Sequence, residues 1–322
     1  MTTTRRAHEL ASDAAPFRYY MGWDSHEIIA HEVAKFSCLA RASVPVRVHA
    51  LQQAVLRERG LYRRARDAKQ NTEFTYLRFL VPHLAGYTGW ALFTDDDFLW
   101  LGDIADLLDL ADDRFAVLCV KHAPTLSCGA DHKLAGVPQE MYPRKNWSSV
   151  MLINCAHPAT RKLTPELVAS ASPQFLHRLH WAVPDGAPLD DESLIGELPF
   201  AYNWLVDWYP ASVADQAKLV HFTDGGPWYP DYRNRRNADG TVGVHHQQAW
   251  IDACARYEAT LPTTRELCPY ERFSALTPKA PILPGYPNSD AGYWEWTNED
   301  EWQQHVRDVI LKDELLAAVN GK

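Results

Sequence analysis

Three successive carboxylates, Asp95-Asp96-Asp97, stand between two apolar runs, Trp90-Ala-Leu-Phe-Thr94 before them and Phe98-Leu-Trp100 after. A carboxylate at the edge of a buried run is expensive to desolvate unless a cation or a donor meets it. At the C-terminal end of a strand, carboxylates at i and i+2 can converge on one ion. Asp95 and Asp97 are therefore candidate ligands for Mg2+ or Mn2+, which such sites hold with one or two carboxylates plus phosphate oxygens. A solvated acidic turn would have the same composition. A further candidate ligand comes late in the chain. His221 closes the apolar run Lys218-Leu-Val-His221-Phe222 and enters Thr223-Asp-Gly225-Gly226-Pro-Trp228. Glycines there let backbone amides approach a phosphate, although a lone His at a strand end is also an ordinary structural residue.

Other residues have the chemistry to assist. Arg78 sits in Thr72–Leu84, a stretch apolar at helical spacing, where a guanidinium must find an anion or reach solvent. Tyr142–Ser149 mixes Arg144, Lys145 and Trp147 with Ser148 and Ser149, which suits an anionic sugar nucleotide and equally suits an exposed loop. Gly22-Trp23-Asp24 follows a first strand; Asp24 is placed either to touch a nucleotide base or ribose or to serve as a helix-start carboxylate. Asp190-Asp191-Glu192 reads as a set of acids at a helix start.

The elements that would position these residues alternate between strand and helix. Phe17–Met21 predicts a strand, and a helix follows over Ser25–Ala42 with Ser25 as its N-cap. Pro45–Leu51 is a second strand, completing a βαβ unit that binds ligands at its carboxyl ends. Residues 56–69 are the one basic cluster, read as a solvated loop or short helix. A short helix is expected over 102–110, strands over 115–120 and 150–154, two helices within 164–181 and a strand over 218–222. The class is α/β.

At 322 residues, with 46% hydrophobic and 23% charged, the chain suits one large domain with additions. The formal net charge of −9 argues against nucleic acid as a main partner. No apolar run approaches the roughly 20 residues of a membrane span. Six scattered cysteines (38, 119, 128, 155, 254, 268) without a Cys-x-x-Cys pair read as reduced thiols, and the expected location is cytoplasmic.

Five ordered segments resemble the retaining glycosyltransferases of the GT-A fold related to family 8, the glycogenin and galactosyltransferase group. They are Thr75-x-x-Arg78 with Pro82, then Phe93–Leu99 with Asp103-Ile104, Ser148–Asn154, Asp191–Gly196 and His221–Trp228. The resemblance covers about residues 17–230. It implies a Rossmann-like nucleotide-diphospho-sugar transferase fold, a mixed sheet flanked by helices. It also implies Mn2+ (or Mg2+) held by Asp95, Asp97 and His221 on the diphosphate of a UDP-sugar, and a glycan or other hydroxyl acceptor. Carried over residue by residue, Arg78, Ser148 and Ser149 would contact the donor; Gly22, Trp23, Asp24, Asp96, Gly225 and Gly226 are further candidates for its site. Asp191 and Glu192 would face the reacting sugar. Three positions depart from the pattern: Trp147 replaces an Asn, Asp191-Glu192-Ser193 replaces Asp-Gln-Asp, and Gly226 replaces a phosphate-binding Lys, a role for which Arg144 and Lys145 are candidates. The expected organisation is a flexible tail (1–15), a catalytic domain (16–230) and an aromatic-rich extension (231–322) ending in an amphipathic helix over Asn298–Val319. A non-catalytic carbohydrate-binding protein is the alternative from another class. A sugar-nucleotide nucleotidyltransferase shares the fold, but needs a basic glycine-rich loop that Gly22-Trp23-Asp24 does not supply.

Overall fold

The computed structural model describes residues 4–65, 70–124, 126, 143–237 and 240–260. Among these residues β1 (Phe17–Gly22), β2 (Val46–Leu51), β3 (Trp90–Thr94), β5 (Val117–Cys119), β6 (Val150–Asn154) and β7 (Ile195–Glu197) form one sheet. Its order is β2-β1-β3-β6-β5-β7. β1 pairs parallel with β2 and β3, while β6 runs antiparallel between β3 and β5, so the sheet is mixed. A smaller sheet, in the order β4-β9-β8, joins β4 (Phe98–Trp100), β9 (Leu219–His221) and β8 (Trp204–Leu205).

Alternate residues of each central strand go to opposite faces of the large sheet, as the strand period of two requires. Tyr20, Ala91, Phe93, Met151 and Ile153 face one core, roofed by the helices Gln53–Glu58, Val81–Leu84, Pro165–Ser170 and Pro173–His177. Tyr19, Met21, Leu92, Val150 and Leu152 face another, under Ala7–Leu10, Ile28–Leu39 and Ile104–Leu108. Burial on both faces is why these strands read as continuous apolar runs rather than alternating ones. The α/β mixed sheet flanked by helices expected from the sequence is thus the observed architecture. A third core lies under the small sheet, where Trp204, Trp228 and Trp250 meet Ile29 and Val33. No helix of the described residues is long and apolar enough to cross a membrane.

Several local expectations change. The helix placed over 25–42 spans Ile28–Leu39 with Glu27 as its N-cap residue. The Asp24 carboxylate takes the His26 amide at 2.9 Å and makes a turn that delays the helix, so the Ser25 hydroxyl donates instead to Glu73 Oε1 at 2.7 Å. Asp190-Asp191-Glu192 precede a strand, not a helix. Asp191 Oδ1 accepts from the Ser193 amide (2.8 Å) and hydroxyl (2.6 Å), an Asx turn that feeds β7. The two helices within 164–181 are present, each started by a hydroxyl N-cap, Thr164 or Ser172, followed by proline. The described part of the N-terminal stretch, residues 4–15, includes the Ala7–Leu10 helix, with Ala7 and Ala11 buried and the Ala7 amide on Asp109. After Trp228, the helix Gln247–Glu258 carries Trp250 5.5 Å from Trp228. Cys128, Cys268, Tyr286, Tyr293, Trp294, Trp296 and the helix expected over 298–319 lie outside the described residues.

Candidate metal centre

The acidic triplet is the crossing between the two sheets. The chain leaves the large sheet at Thr94, turns through Asp95-Asp96-Asp97 and enters the small sheet at Phe98. β4 pairs antiparallel with β9 in a register that sets Phe98 opposite His221, and the Phe222 amide bonds the Asp97 carbonyl at 2.9 Å. Register alone therefore brings His221 beside Asp97, its Nε2 3.2 Å from Oδ1. The ligating atoms of Asp95, Asp97 and His221 all lie within 4.8 Å of one another. Phe98 stacks on the imidazole at 4.2 Å between ring centres and fixes its plane.

The tautomer of His221 follows from its neighbours. Asn203 gives its Nδ2 to Ser149 Oγ (2.9 Å) and to the Asn146 carbonyl (3.3 Å), so its Oδ1 is left to accept from His221 Nδ1 at 2.9 Å. A neutral ring then turns its Nε2 lone pair towards Asp97. Two acceptors facing each other need a shared cation, either a proton or a metal ion. Two carboxylates and an imidazole are an ordinary donor set for Mn2+ or Mg2+, and the remaining positions would fall to oxygen ligands. The residues therefore fit a divalent ion.

Arg78 ties this centre to the strand beside it. Its Nη1 is 2.8 Å from Asp95 Oδ1 and 2.9 Å from the Ser148 carbonyl, and its Nε donates to the Thr75 carbonyl at 3.0 Å. The β3–β6 ladder ends at Thr94 opposite Val150, and the Asp95 amide extends it to the Ser149 carbonyl at 3.1 Å. Arg78, Asp95, Ser148 and Ser149, far apart in sequence, thus meet at one strand end. The Ser148 hydroxyl lies 3.1 Å from His177 Nδ1.

Behind the triplet lies a carboxyl network that the sequence reading missed. Asp96 is wholly buried, with Oδ2 accepting the Asp24 amide at 2.9 Å. Burial, then the nearby Glu27, Asp97 and Asp24, hold its carboxyl well above the usual carboxylate range. Burial and the charges of Asp97 and Asp24 likewise push Glu27 up to about 8. Glu27 Oε1 accepts Trp228 Nε1 (3.2 Å) and the Tyr229 hydroxyl (2.9 Å), pinning the glycine-rich turn to the start of helix Ile28–Leu39. Asp24, His26 and Glu73 form a second group with ligating atoms within 4.8 Å of one another. It is engaged internally: Asp24 takes His26 Nδ1 at 2.7 Å and the Glu73 amide at 3.0 Å. Burial draws the His26 ring down, but the Asp24 carboxylate outweighs it and raises the ring to about 9. Trp23 is buried, and a Cβ on Gly22 would come 2.7 Å from the Phe74 ring.

The remaining anticipated residues fall into two places. Glu192 stands just ahead of β7, where Lys121 Nζ meets it at 2.7 Å and Arg144 Nε at 3.5 Å, while the neighbouring Asp191 side chain stays on Ser193. Gly225 (φ +124°) and Gly226 make the turn after His221. A Cβ at Gly226 would come 2.2 Å from the Trp228 ring, so this turn has no room for a lysine as it stands. Nothing in Phe200-Ala-Tyr-Asn203 marked Asn203 as the residue that orients His221.

No family model matches the sequence. The chain is 43% identical to Protein CDI of Arabidopsis thaliana over 232 residues, which is 71% of this chain and 86% of that protein. Among solved structures it is similar to the WbbM bifunctional glycosyltransferase, at 13% identity and TM-score 0.49, over 74% of this chain and 49% of WbbM. It is also similar to the glycosyltransferase GlyE of Streptococcus pneumoniae TIGR4, at 14% identity and TM-score 0.46, over 74% and 60% of the two chains. For galactosyltransferase LgtC the values are 12% and 0.41, over 77% and 98%. The chain thus spans about half of WbbM and three fifths of GlyE.

Proposed function

The chain belongs to the Protein CDI family, and we propose that it is a GT-A glycosyltransferase. In this reading it is metal-dependent and moves a sugar from a nucleotide-diphosphate donor, a UDP-sugar, to a hydroxyl acceptor with retention of configuration. The observation that carries this reading is the convergence of Asp95, Asp97 and His221 at the crossing between the two sheets, with Arg78 held beside them. When bound, a divalent ion would supply Lewis-acid neutralisation of the leaving diphosphate.

The chain's own residues do the rest. Asn203 keeps the His221 lone pair on the ligand side. Arg78 holds Asp95 in the metal-free protein and stands ready to share its charge with an incoming phosphate, and a fixed guanidinium in a partly dry cleft stabilises developing charge better than water does. Ser148 and Ser149 set the edge of the donor site through the Arg78 and Asn203 contacts. Gly22, Trp23 and Asp24 form the end of β1 where a base or ribose would lie. Glu192, held by Lys121 and Arg144, is assigned to stabilise the oxocarbenium-like centre of the reacting sugar, by analogy with glycosidase carboxylates. That assignment fails if Glu192→Gln transfers sugar at near the full rate.

Calorimetric titration of UDP and a set of UDP-sugars, with Mn2+ and with chelator, tests the function. The expected result is binding that needs the ion and disappears in Asp97→Asn and His221→Ala. A folded protein that binds no uridine nucleotide in the presence of Mn2+ would refute it.

A further inference from the structure

A buried run of hydrogen bonds beneath the acidic crossing has only one possible direction. Trp100 Nε1 lies 3.2 Å from the Tyr19 hydroxyl, which lies 2.7 Å from Thr94 Oγ1. Thr94 Oγ1 in turn lies 2.7 Å from the Asp95 carbonyl. An indole N–H can only donate, and a carbonyl can only accept. Thr94 therefore commits its single proton to Asp95, and the Tyr19 phenol must donate to Thr94. The order is Trp100 N–H to Tyr19 O–H to Thr94 O–H to Asp95 C=O. Trp100, Tyr19 and Thr94 are each fully buried, and burial raises the Tyr19 phenol above its ordinary value, so its proton stays in place.

The run begins in the small sheet and ends at a candidate metal ligand. Trp100 belongs to β4, Tyr19 to β1, and Thr94 closes β3. Its origin is fixed: the Trp100 amide donates to Ser37 Oγ at 3.0 Å, and Ser37 donates to the Ala34 carbonyl at 2.9 Å within helix Ile28–Leu39. The Tyr19 and Trp100 rings meet edge to face at 6.1 Å, and turning either away would open the core that they share. At the other end, the Asp95 amide reaches the Ser149 carbonyl at 3.1 Å, while Thr94 holds the Asp95 carbonyl. Peptide groups are planar, so holding the one before Asp95 and the one after it fixes the direction of its Cα–Cβ bond. That direction matters, because the carboxylate must stay within 4.8 Å of the ligating atoms of Asp97 and His221 although Arg78 draws on it at 2.8 Å.

We propose that Thr94 and Tyr19 are positioning residues for the candidate metal centre: the Thr94 hydroxyl, itself aligned by Tyr19, aims the Asp95 carboxylate at the ion. Neither residue touches the ion. The proposal deepens the metal-dependent reading and rests on it. Its particular content is that the hydroxyl at position 94, rather than the bulk or the stability there, sets the affinity for the metal.

The test uses the full chain, with Mn2+ affinity read by calorimetry and by loss of the free-ion electron paramagnetic resonance signal. Stability is read separately, by urea denaturation in metal-free buffer. Thr94→Val keeps the shape and removes the donor, whereas Thr94→Ser keeps the donor and removes a buried methyl. Tyr19→Phe removes the phenol that aligns Thr94. Val48→Ala, in the same core but outside the run, is the control for lost stability alone. Mn2+ should bind about tenfold or more weakly to Thr94→Val, with a smaller loss in Tyr19→Phe. Thr94→Ser and Val48→Ala should bind it as the wild type does, although both lose stability. Affinity that falls in step with stability across the four variants, or Thr94→Val at wild-type affinity, overturns the proposal. Should Thr94→Val not fold, Tyr19→Phe against Val48→Ala decides: weaker binding in Tyr19→Phe alone supports the positioning role, and equal binding refutes it. A folded wild type that binds neither Mn2+ nor Mg2+ removes the metal-dependent reading and this proposal with it, an outcome set apart because it appears without any substitution.

Discussion

Glu27 offers a quantitative check on the carboxyl network behind the metal centre. Its carboxyl is raised to about 8, chiefly by burial and then by Asp97 and Asp24, although Trp228 and Tyr229 both donate to it. A folded-state value above the unfolded one means that the folded protein holds the proton. The stability Glu27 contributes is therefore fully present below about pH 4.5 and is lost as pH rises towards 8. At pH 7 the gap is worth about 3 kcal/mol at most, and the solvent access of a half-buried side chain halves it to about 1.5 kcal/mol. Glu27→Gln keeps an oxygen for Trp228 and Tyr229 and removes the titration. In metal-free buffer its melting temperature should match wild type at pH 4.5 and exceed it by about 3–5 °C at pH 8. Differential scanning calorimetry across that range reads the difference directly. Adding Mn2+ should shrink it, because a cation on Asp97 removes one of the charges that keep Glu27 protonated. An offset independent of pH, or a variant less stable than wild type at pH 8, would show that Glu27 is ionised in the folded protein and that the network has been misread.

The other expectations concern the same framework. Arg78→Gln strips a buried pair and leaves the Thr75 and Ser148 carbonyls without their donor, so urea denaturation should show a loss of about 3–5 kcal/mol, smaller with Mn2+ present to hold Asp95. Asn203→Leu removes the acceptor that orients His221 and should weaken Mn2+ binding by about 10–100-fold by calorimetry, whereas Asn203→Asp, which keeps that acceptor, should recover part of the loss. Gly22→Ala puts a methyl against the Phe74 ring and should destabilise by about 1–3 kcal/mol in the same urea assay, with Gly186→Ala, at positive φ on an open surface turn, as a comparison for backbone strain alone.

The sheet was largely legible because its strands are apolar on both faces, so each registers as a short continuous run between turn residues. Helix ends were less legible, since side chains from elsewhere decide them. Ser25 has the chemistry of an N-cap, but the carboxylates of Asp24 and Glu73 capture its neighbour and its hydroxyl. The acids at 190–192 resemble a helix start, yet Asp191 uses its oxygen on Ser193 and the chain extends into β7. Of the small sheet only β9, expected over 218–222, was legible; β4 and β8 have three and two residues, too short to show a period.

That small sheet explains why the candidate metal centre was half readable. Asp95 and Asp97 announce themselves locally, as carboxylates at the end of an apolar run. His221 acquires meaning only through the β4–β9 register, which sets it opposite Phe98 and so beside Asp97. Asn203 lies one step further removed, since it precedes β8, the strand beside β9, and its amide orientation is fixed by Asn146 and Ser149 at the end of the large sheet. The candidate ligands thus come from the crossing between two sheets, and the residue that orients His221 bridges the same gap. A loss of packing between the sheets, as at Phe98 or Trp100, should accordingly separate Asp95 from His221 before it disturbs the β1–β3 ladder, which lies wholly within the large sheet. The site is a property of that junction, which is why residue type alone could locate its carboxylates and could not locate its geometry.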